Sequence, residues 1–318
     1  MRRVRDPDAL LQAVMFDMDG LLVNTEPLWF EVQSEIMARL GGTWSHADQA
    51  KLVGGSLTNS AGYLRAKAAP VPPTPPGGAA AARHLPPGDT GPDGDHAPGG
   101  RRRSSPAGGG PAARQWPAAG RGEWPPGEIT VAEWLVETMV DRIAARGAPP
   151  MPGAAELLTD VAAAGLPRAL VTSSRRSVMD AVLTHLAKDP GWQGPPGRIA
   201  PSRTGRKPQA SNPRGPSGEW PPPFDVTVCA ADVTHAKPHP EPYLLAASLL
   251  DADPARCVVF EDAPNGVEAA EAAGCLVVAV PGVAGIPPRD GRIVVPSLRG
   301  LSARWLRQLA ASRYRSAR

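Results

Sequence analysis

The chain contains 318 residues, of which 42% are hydrophobic, and its formal net charge at pH 7 is +3. A chain of this length can bury a sizeable core, and so small a charge gives no reason to expect a nucleic-acid partner. No apolar stretch is long enough to span a bilayer, and the first apolar run is a predicted strand rather than part of a signal peptide. The three cysteines each lie in or beside a predicted strand, as buried free thiols do. We therefore expect a cytoplasmic monomer without a membrane or nucleic-acid partner.

Hydrophobic periodicity predicts an alternation of strands and helices along most of the chain. This alternation is typical of a parallel sheet with helices on both faces. We therefore predict an α/β fold with a doubly wound parallel sheet and a helical cap inserted after the first strand. The predicted strands cover residues 12–16, 168–172, 225–229, 256–260 and 276–280. The predicted helices cover residues 25–40, 47–53, 57–67, 129–146, 153–164, 175–187, 240–250, 263–273 and 298–313.

The first predicted strand ends in two acids and a glycine, Asp17, Asp19 and Gly20. An unpaired buried acid is costly, so a buried strand that ends in carboxylates directs them at a ligand. Alternate strand residues face opposite ways, so Asp17 and Asp19 reach one site only if the strand breaks there, and Gly20 favours that break. Taken alone, the pattern also fits a strand followed by an ordinary acidic turn.

Three later segments favour the ligand site. Thr172 follows an apolar run, Lys237 lies in a proline-flanked loop, and Glu261 and Asp262 end another apolar run. Carboxyl ends of parallel strands line a common crevice where ligands bind. Acids at two such ends suit a hard cation such as Mg²⁺, while a hydroxyl and a lysine suit phosphate.

On these residues the chain resembles the haloacid dehalogenase superfamily of phosphohydrolases, and within it the small phosphatases and β-phosphoglucomutases. Each motif is weak alone, but four in the family's order form a strong signal. The resemblance implies a Rossmann-like core and a Mg²⁺-dependent phosphatase of a small phosphorylated metabolite, such as a sugar phosphate or phosphoglycolate. The motifs correspond here to Asp17–Gly20, Thr172, Lys237 and Glu261–Asp262. The resemblance covers residues 12–66 and 128–282, apart from a stretch near 190–223.

The resemblance also implies a catalytic role for each motif residue. Asp17 is then the nucleophile that forms an aspartyl-phosphate, and Asp19 is the general acid and base. Thr172 holds a phosphoryl oxygen through its hydroxyl, helped by the Ser173 backbone N–H. Lys237 neutralises the phosphoryl group and the nucleophile together.

The implied Mg²⁺ ligands are the Asp17 side chain, the Asp19 backbone carbonyl and Asp262, with Glu261 as a further ligand or an orienting group. Crowded carboxylates repel one another, so they require a cation beside them. Arg175, which follows the hydroxyl-bearing strand, is a candidate for binding a distal phosphate, although a position in a solvated first helical turn is the simpler interpretation.

Two tracts lack the composition of packed protein. Proline and glycine make up 26 of the 57 residues at 70–126, and 16 of the 34 at 190–223. Few large apolar residues remain there to offset the entropy of ordering, so we interpret both tracts as disordered insertions. We divide the remainder into a catalytic core at 12–20 and 148–296, a cap at 21–147, and a C-terminal helix and tail at 297–318.

Three functions remain open at this point: a phosphatase, a phosphosugar mutase, and a non-catalytic protein whose insertions prevent closure of the cap. The related mutases carry a cap arginine where this chain has Leu57, and a histidine where it has Trp29. These departures favour the phosphatase. We interpret Trp29 as packing between cap helices. His235 and His239 are four residues apart, but Pro238 prevents a regular helix, so we interpret them as loop histidines rather than as a metal pair.

Overall fold

A computed structural model of the chain describes residues 10–68, 130–188, 192, 224–282, 284–289 and 292–316. The first predicted insertion, at 70–126, lies outside the described residues. The second, at 190–223, also lies outside them except for Trp192. Trp192 is buried, and disorder of the rest of the tract remains a prediction.

The central feature of the fold is a parallel sheet. Its strands are β1 Ala13–Phe16, β2 Arg168–Val171, β3 Val226–Val228, β4 Cys257–Glu261, β5 Leu276–Ala279 and β6 Ile293–Val294. Among the described residues they form one six-stranded sheet in the order β3-β2-β1-β4-β5-β6. β1 lies in the middle and pairs with β2 on one side and β4 on the other. The chain therefore winds outward from β1 in both directions, which confirms the predicted doubly wound topology.

The α-helices of the described residues are α1 Glu26–Arg39, α2 His46–Ala50, α3 Leu57–Lys67, α4 Val131–Arg146, α5 Ala154–Ala163, α6 Arg176–Leu186, α7 Glu241–Leu249, α8 Pro264–Ala272 and α9 Ala303–Ser316. Most predicted bounds agree within a few residues. α9 begins later than predicted because Gly300 has a φ of +75° and the Ser302 hydroxyl accepts a hydrogen bond from the Trp305 N–H (3.2 Å). β6 was missed because two residues give no periodic signal. Within this part of the chain, no helix has the length and hydropathy needed to cross a membrane.

Strands β1, β2, β4 and β5 are buried along their whole length. Strands covered by helices on both faces of a sheet carry such apolar runs. Because β2, β1 and β4 are neighbours and parallel, their carboxyl ends meet at the point where the strand order reverses. Doubly wound sheets bind ligands at this point, so the residues that follow the three strands occupy the ligand-binding edge.

Helices α1 to α4 follow β1 and precede α5, as predicted for a cap inserted after the first strand. α4 packs against α1 and α3, and also against α6. It begins with a capping box, in which the Thr130 hydroxyl accepts from the Glu133 N–H (3.2 Å) and the Glu133 carboxylate accepts from the Thr130 N–H (2.8 Å). The division into a core, a cap and a C-terminal segment at the predicted boundaries remains a prediction.

A buried carboxylate, Asp48, connects α2 to α3. It accepts hydrogen bonds from the Ser45 N–H (2.9 Å) and the Tyr63 hydroxyl (2.7 Å), and it pairs with Lys67. The Lys67 ammonium, with Ser45 and Tyr63, holds the pKa of Asp48 well below its usual range. Asp48 therefore stabilises the fold in its ionised form.

We expect Asp48→Asn to lower the free energy of unfolding by about 2 kcal/mol at pH 7, since it removes a charge-assisted network and a helix cap. A group with a lowered folded-state pKa stabilises the protein above its unfolded pKa and loses that effect as the pH falls. The difference from the wild type should therefore begin to shrink below about pH 4 and be lost only well below that, as the pH falls through the lowered pKa of Asp48. Urea unfolding at pH 7 and at about pH 2 measures it. Asp141→Asn is the control, because Asp141 has no hydrogen bond or ion pair within the described residues; equal losses in both variants would contradict the prediction.

Candidate active site

Asp17 follows β1 directly and is buried at the ligand-binding edge of the sheet. Its backbone N–H donates to the Phe260 carbonyl of β4 (3.1 Å), and its Oδ1 accepts from Lys237 Nζ (2.6 Å). Burial raises the pKa of Asp17 well above its usual range; Lys237 opposes this, while the charges of Glu261 and Asp19 add to it. A buried carboxylate in this setting requires positive charge beside it.

Asp19 faces the same cleft as Asp17 and is oriented by hydroxyl groups. Its Oδ1 accepts from the Thr25 hydroxyl (2.7 Å), and its Oδ2 accepts from the hydroxyls of Thr172 (3.1 Å) and Ser174 (2.8 Å). Three hydroxyl donors on two oxygens fix the direction of this carboxylate. The break in the strand that the sequence predicts therefore directs both acids at one site.

Gly20 makes this turn possible. It has a φ of +82°, and a Cβ atom at this position would lie 2.2 Å from Asp262 Oδ2. Both the backbone conformation and the close approach require glycine. The turn after β1 therefore packs directly on the acid that follows β4.

Lys237 is buried, and three acceptors receive its hydrogen bonds. Its Nζ donates to Asp17 Oδ1 (2.6 Å), the Val171 carbonyl (2.8 Å) and Glu261 Oε1 (2.6 Å). Burial by itself would lower the pKa of Lys237, but the carboxylates of Asp17 and Glu261 outweigh it and raise that pKa. The ammonium therefore stays charged and links the ends of β1, β2 and β4.

Glu261 and Asp262 lie at the end of β4, and their side chains have different partners. Glu261 Oε1 accepts from Lys237 and from the Tyr243 hydroxyl, while Oε2 accepts from the Asp262 N–H (3.1 Å). The Asp262 carboxylate has no hydrogen-bond donor among the described residues. Burial, and then the charges of Asp17 and Glu261, raise the pKa of Asp262 well above its usual range.

This donor set fits a hard divalent cation. Ligand oxygens of Asp17, Glu261 and Asp262 lie within 4.8 Å of one another. Asp262, buried without a hydrogen-bond donor in the part of the chain described, is the carboxylate most in need of a cation. Carboxylate oxygens without nitrogen or sulfur ligands suit Mg²⁺. Glu261 Oε1 already accepts hydrogen bonds from Lys237 and Tyr243. This favours a role for Glu261 in orienting Lys237 over direct ligation of the cation.

The residues predicted to contact substrate follow β2. The Thr172 hydroxyl donates to Asp19 and accepts from the Ser174 N–H (3.0 Å). Ser173 and Arg175 line the cleft, and Arg175 is exposed immediately before α6. Ser174, which the sequence analysis did not select, donates to Asp19 as well as lining the cleft.

The cleft is bounded by the sheet edge on one side and by helices α1 to α4 on the other, with a cavity volume of about 80 Å³. Asn265 Nδ2 of α8 donates to the Gly54 carbonyl (3.3 Å), which connects the two sides. Leu57 lines the cleft on the cap side, where the sequence placed it. The helices before residue 69 thus reach the ligand-binding edge of the sheet.

Three cap residues that the sequence analysis missed or misread also line the cleft. Glu26 Oε2 accepts from Gln49 Nε2 (2.8 Å). Burial raises the pKa of Glu26. The hydrogen bond from Gln49 lowers that pKa, and the charge of Asp19 raises it further. The interpretation of Trp29 as core packing is wrong, since its ring lines the cleft and its Nε1 lies 3.5 Å from Asp19 Oδ1. A polar pair such as Glu26 and Gln49 gives no sequence signal, because the docking of the helices decides which face meets the cleft.

A family model described as haloacid dehalogenase-like hydrolase matches residues 11–274. The chain belongs to this family of hydrolases. The matched range includes Asp17, Lys237 and Asp262. The match confirms the resemblance that the four motifs indicate.

Curated relatives include two phosphatases of Escherichia coli strain K12. Hexitol phosphatase A is 35% identical over 160 residues, which cover 50% of this chain and 56% of the relative. The fructose-1-phosphate phosphatase YqaB is 51% identical over 51 residues, which cover 16% of this chain and 27% of the relative. The chain thus spans at most about half the length of these relatives.

Solved structures show the same fold. CbbY from Rhodobacter sphaeroides in complex with phosphate matches with a TM-score of 0.56 and 22% identity, covering 93% of this chain and 99% of that one. A β-phosphoglucomutase from Clostridium difficile matches with a TM-score of 0.56 and 18% identity, covering 96% and 99%.

Proposed function

We propose that the chain is a Mg²⁺-dependent phosphatase that hydrolyses a small phosphorylated metabolite through an aspartyl-phosphate. The observation that supports this most strongly is the buried array in which Lys237 bridges Asp17 and Glu261, with Asp262 beside them and Asp19 lining the same cleft. A non-catalytic protein would gain little from keeping these charges buried, since buried ion pairs contribute little net stability.

The first step transfers the phosphoryl group to Asp17. Lys237 holds Oδ1, which leaves Oδ2 to attack phosphorus. The phosphorus–ester bond breaks, and the leaving oxygen takes a proton from Asp19, which enters this step as the carboxylic acid. The hydroxyls beside Asp19 can turn to accept from that acid. In the second step water attacks phosphorus and gives its proton to Asp19, and the bond to Asp17 breaks. Phosphate leaves, and both acids return to their starting forms.

The remaining site residues bind and position the substrate. The hydroxyl of Thr172, the backbone N–H of Ser173 and the ammonium of Lys237 hold the phosphoryl oxygens, and Arg175 holds a distal anionic group if the substrate has one. Mg²⁺ on Asp17, the Asp19 carbonyl and Asp262 would neutralise charge on the phosphoryl group.

The cap side of the cleft favours a substrate with one phosphate and several hydroxyls. Glu26 and Gln49 offer acceptors and donors to hydroxyl groups, and Trp29 offers an apolar face to a carbon chain or ring. The Glu26 carboxylate would repel the carboxylate of phosphoglycolate or a second phosphate. Sugar and sugar-alcohol phosphates are therefore the substrate class we favour, in keeping with the names of the two Escherichia coli relatives.

Phosphate release should exceed isomerisation in a test for mutase activity. Among the described residues that line the cleft, only Lys237 and Arg175 are cations, and Leu57 occupies the place of the mutase arginine. A bisphosphate intermediate would therefore be held poorly at its second end. With β-glucose 1-phosphate and a trace of bisphosphate activator, NMR should show phosphate release and little glucose 6-phosphate; faster formation of glucose 6-phosphate would overturn the phosphatase proposal.

Removal of divalent cations should abolish activity. Dialysis against EDTA is expected to stop phosphate release, and added Mg²⁺ to restore it, because the clustered carboxylates cannot approach a phosphate dianion without a cation. Asp262→Asn should raise the Mg²⁺ concentration for half-maximal activity about tenfold or more. Asp141→Asn, on α4, makes the same chemical change outside the cleft and should leave that concentration unchanged. Full activity in EDTA would contradict the metal requirement.

A further inference from the structure

A second group of metal-ligating side chains lies outside the cleft, on the segment that carries Lys237. It consists of His235, His239 and Glu241, whose ligand atoms lie within 4.8 Å of one another. His235 Nδ1 is 2.8 Å from Glu241 Oε2, and His239 Nδ1 is 3.9 Å from the same oxygen. The centroids of the two imidazole rings are 4.6 Å apart. His239 Nδ1 also accepts a hydrogen bond from the Glu241 N–H (3.2 Å), so both imidazoles lie against Glu241.

Backbone N–H groups hold the Glu241 carboxylate in place without a bound ion. Glu241 Oε1 accepts from the Thr234 N–H (2.8 Å), and Oε2 accepts from the His235 N–H (2.9 Å). Each carboxylate oxygen has two acceptor positions. The second position of Oε2 faces His235 Nδ1 (2.8 Å), and this is the contact that a bound ion would replace. Glu241 also begins α7, which anchors the group to a regular element.

We propose that His235, His239 and Glu241 bind a transition-metal ion of the Zn²⁺ class, at a site separate from the carboxylate cluster of the cleft. Two imidazoles and one carboxylate suit Zn²⁺, whereas Mg²⁺ prefers oxygen ligands alone. Three protein ligands leave a fourth position for water.

The present separations require only small movements to accommodate such an ion. Tetrahedral zinc with bonds of about 2.0–2.1 Å places its ligands roughly 3.3 Å apart. The Glu241–His235 contact must open slightly and the Glu241–His239 contact must close. The side chains of His235 and His239 are 62% and 50% exposed, so both rings can rotate without disturbing the core.

The same contacts could serve only to support the loop. A surface ion pair between His235 and Glu241 contributes little to stability, because solvent screens it. Such a support needs no ion, and His239 takes part in it, since its Nδ1 accepts a hydrogen bond from the Glu241 N–H (3.2 Å). What favours the metal site is that two imidazoles and one carboxylate each offer a ligand atom within 4.8 Å of the others.

The site also brackets Lys237 in the chain. Its two histidines lie two residues before and two residues after the lysine in the sequence. An ion bound by both histidines would therefore join the two ends of the segment that carries Lys237. The folded state would bind the ion and the unfolded chain would not, so Zn²⁺ should raise the thermal unfolding midpoint.

Isothermal titration of the full chain with Zn²⁺ in excess Mg²⁺ tests the proposal, because Mg²⁺ competes for the carboxylate cluster far better than for imidazole ligands. We expect wild-type protein to bind one Zn²⁺ at this site, and His235→Ala and His239→Ala each to weaken that binding about tenfold or more. Glu241→Gln keeps an oxygen acceptor for the backbone and should also weaken it. His46→Ala removes another exposed histidine and should bind as the wild type does.

Visible absorption of the Co²⁺ form supplies a second measurement that does not depend on activity. Intense bands typical of tetrahedral Co²⁺ should appear with the wild type and with His46→Ala, and should be absent from the two other histidine variants. Equal Zn²⁺ binding by the wild type, His235→Ala and His239→Ala would overturn the proposal, as would the absence of Zn²⁺ binding by the wild type in excess Mg²⁺.

Discussion

Asp17→Asn is expected to lower phosphate release at least about 10⁴-fold in the presence of Mg²⁺. An amide oxygen is a poor nucleophile and a weaker metal ligand than a carboxylate. The substitution also breaks the ion pair with Lys237, whose Nζ retains the Val171 carbonyl and Glu261 as acceptors. The fold should therefore survive the change, and the loss should appear in turnover.

Steady-state turnover and urea unfolding of the same preparation separate these effects. Asp141→Asn makes the same chemical change on α4, outside the cleft, and should leave turnover unchanged. A folded Asp17→Asn protein that releases phosphate at the wild-type rate would exclude the covalent mechanism. Loss of turnover in both variants would point to a defect unrelated to the nucleophile.

The sequence predicts the ligand-binding edge of the sheet because the direction of the parallel strands determines which residues can lie there. Asp17, Thr172 and Glu261 each stand at the end of an apolar run, and parallel strands bring such ends together. Lys237 lies in a loop, so strand direction does not place it; its proline-flanked setting made it a candidate phosphate ligand, and the family resemblance gave it a role. Its burial, and its bridge from Asp17 to Glu261, follow from tertiary packing that no local pattern encodes.

The cap side of the cleft could not be predicted in the same way. Trp29 and Glu26 lie on α1, and the sequence alone does not reveal which face of that helix meets the sheet edge. Gln49 is a buried polar residue in a five-residue helix, too short for a periodic signal. Only the docked arrangement of the helices shows that these side chains face the cleft. The sequence therefore predicts the reaction type better than it predicts the substrate.

Gly266 of α8 is the position where the smallest change should disturb the site most. A Cβ atom there would lie 1.9 Å from Glu261 Oε1 and 2.0 Å from the Glu261 carboxyl carbon. Glu261 is fully buried and held by Lys237 and Tyr243, so its side chain cannot move aside freely. An added methyl group must therefore displace the carboxylate that positions the lysine.

We expect Gly266→Ala to lower kcat about 10²-fold, because a shift near 1 Å in the positioning of catalytic groups costs that much. Overpacking should also lower the free energy of unfolding by about 1–3 kcal/mol, against a gain in helix propensity of up to about 1 kcal/mol. Gly62→Ala is the matched control. Gly62 lies within α3, and a Cβ atom there would meet no described atom within 4 Å. That variant should keep its kcat and gain about 0.5–1 kcal/mol in stability. If Gly266→Ala matches the control in kcat, Glu261 can move without disturbing Lys237, and its orienting role would be wrong.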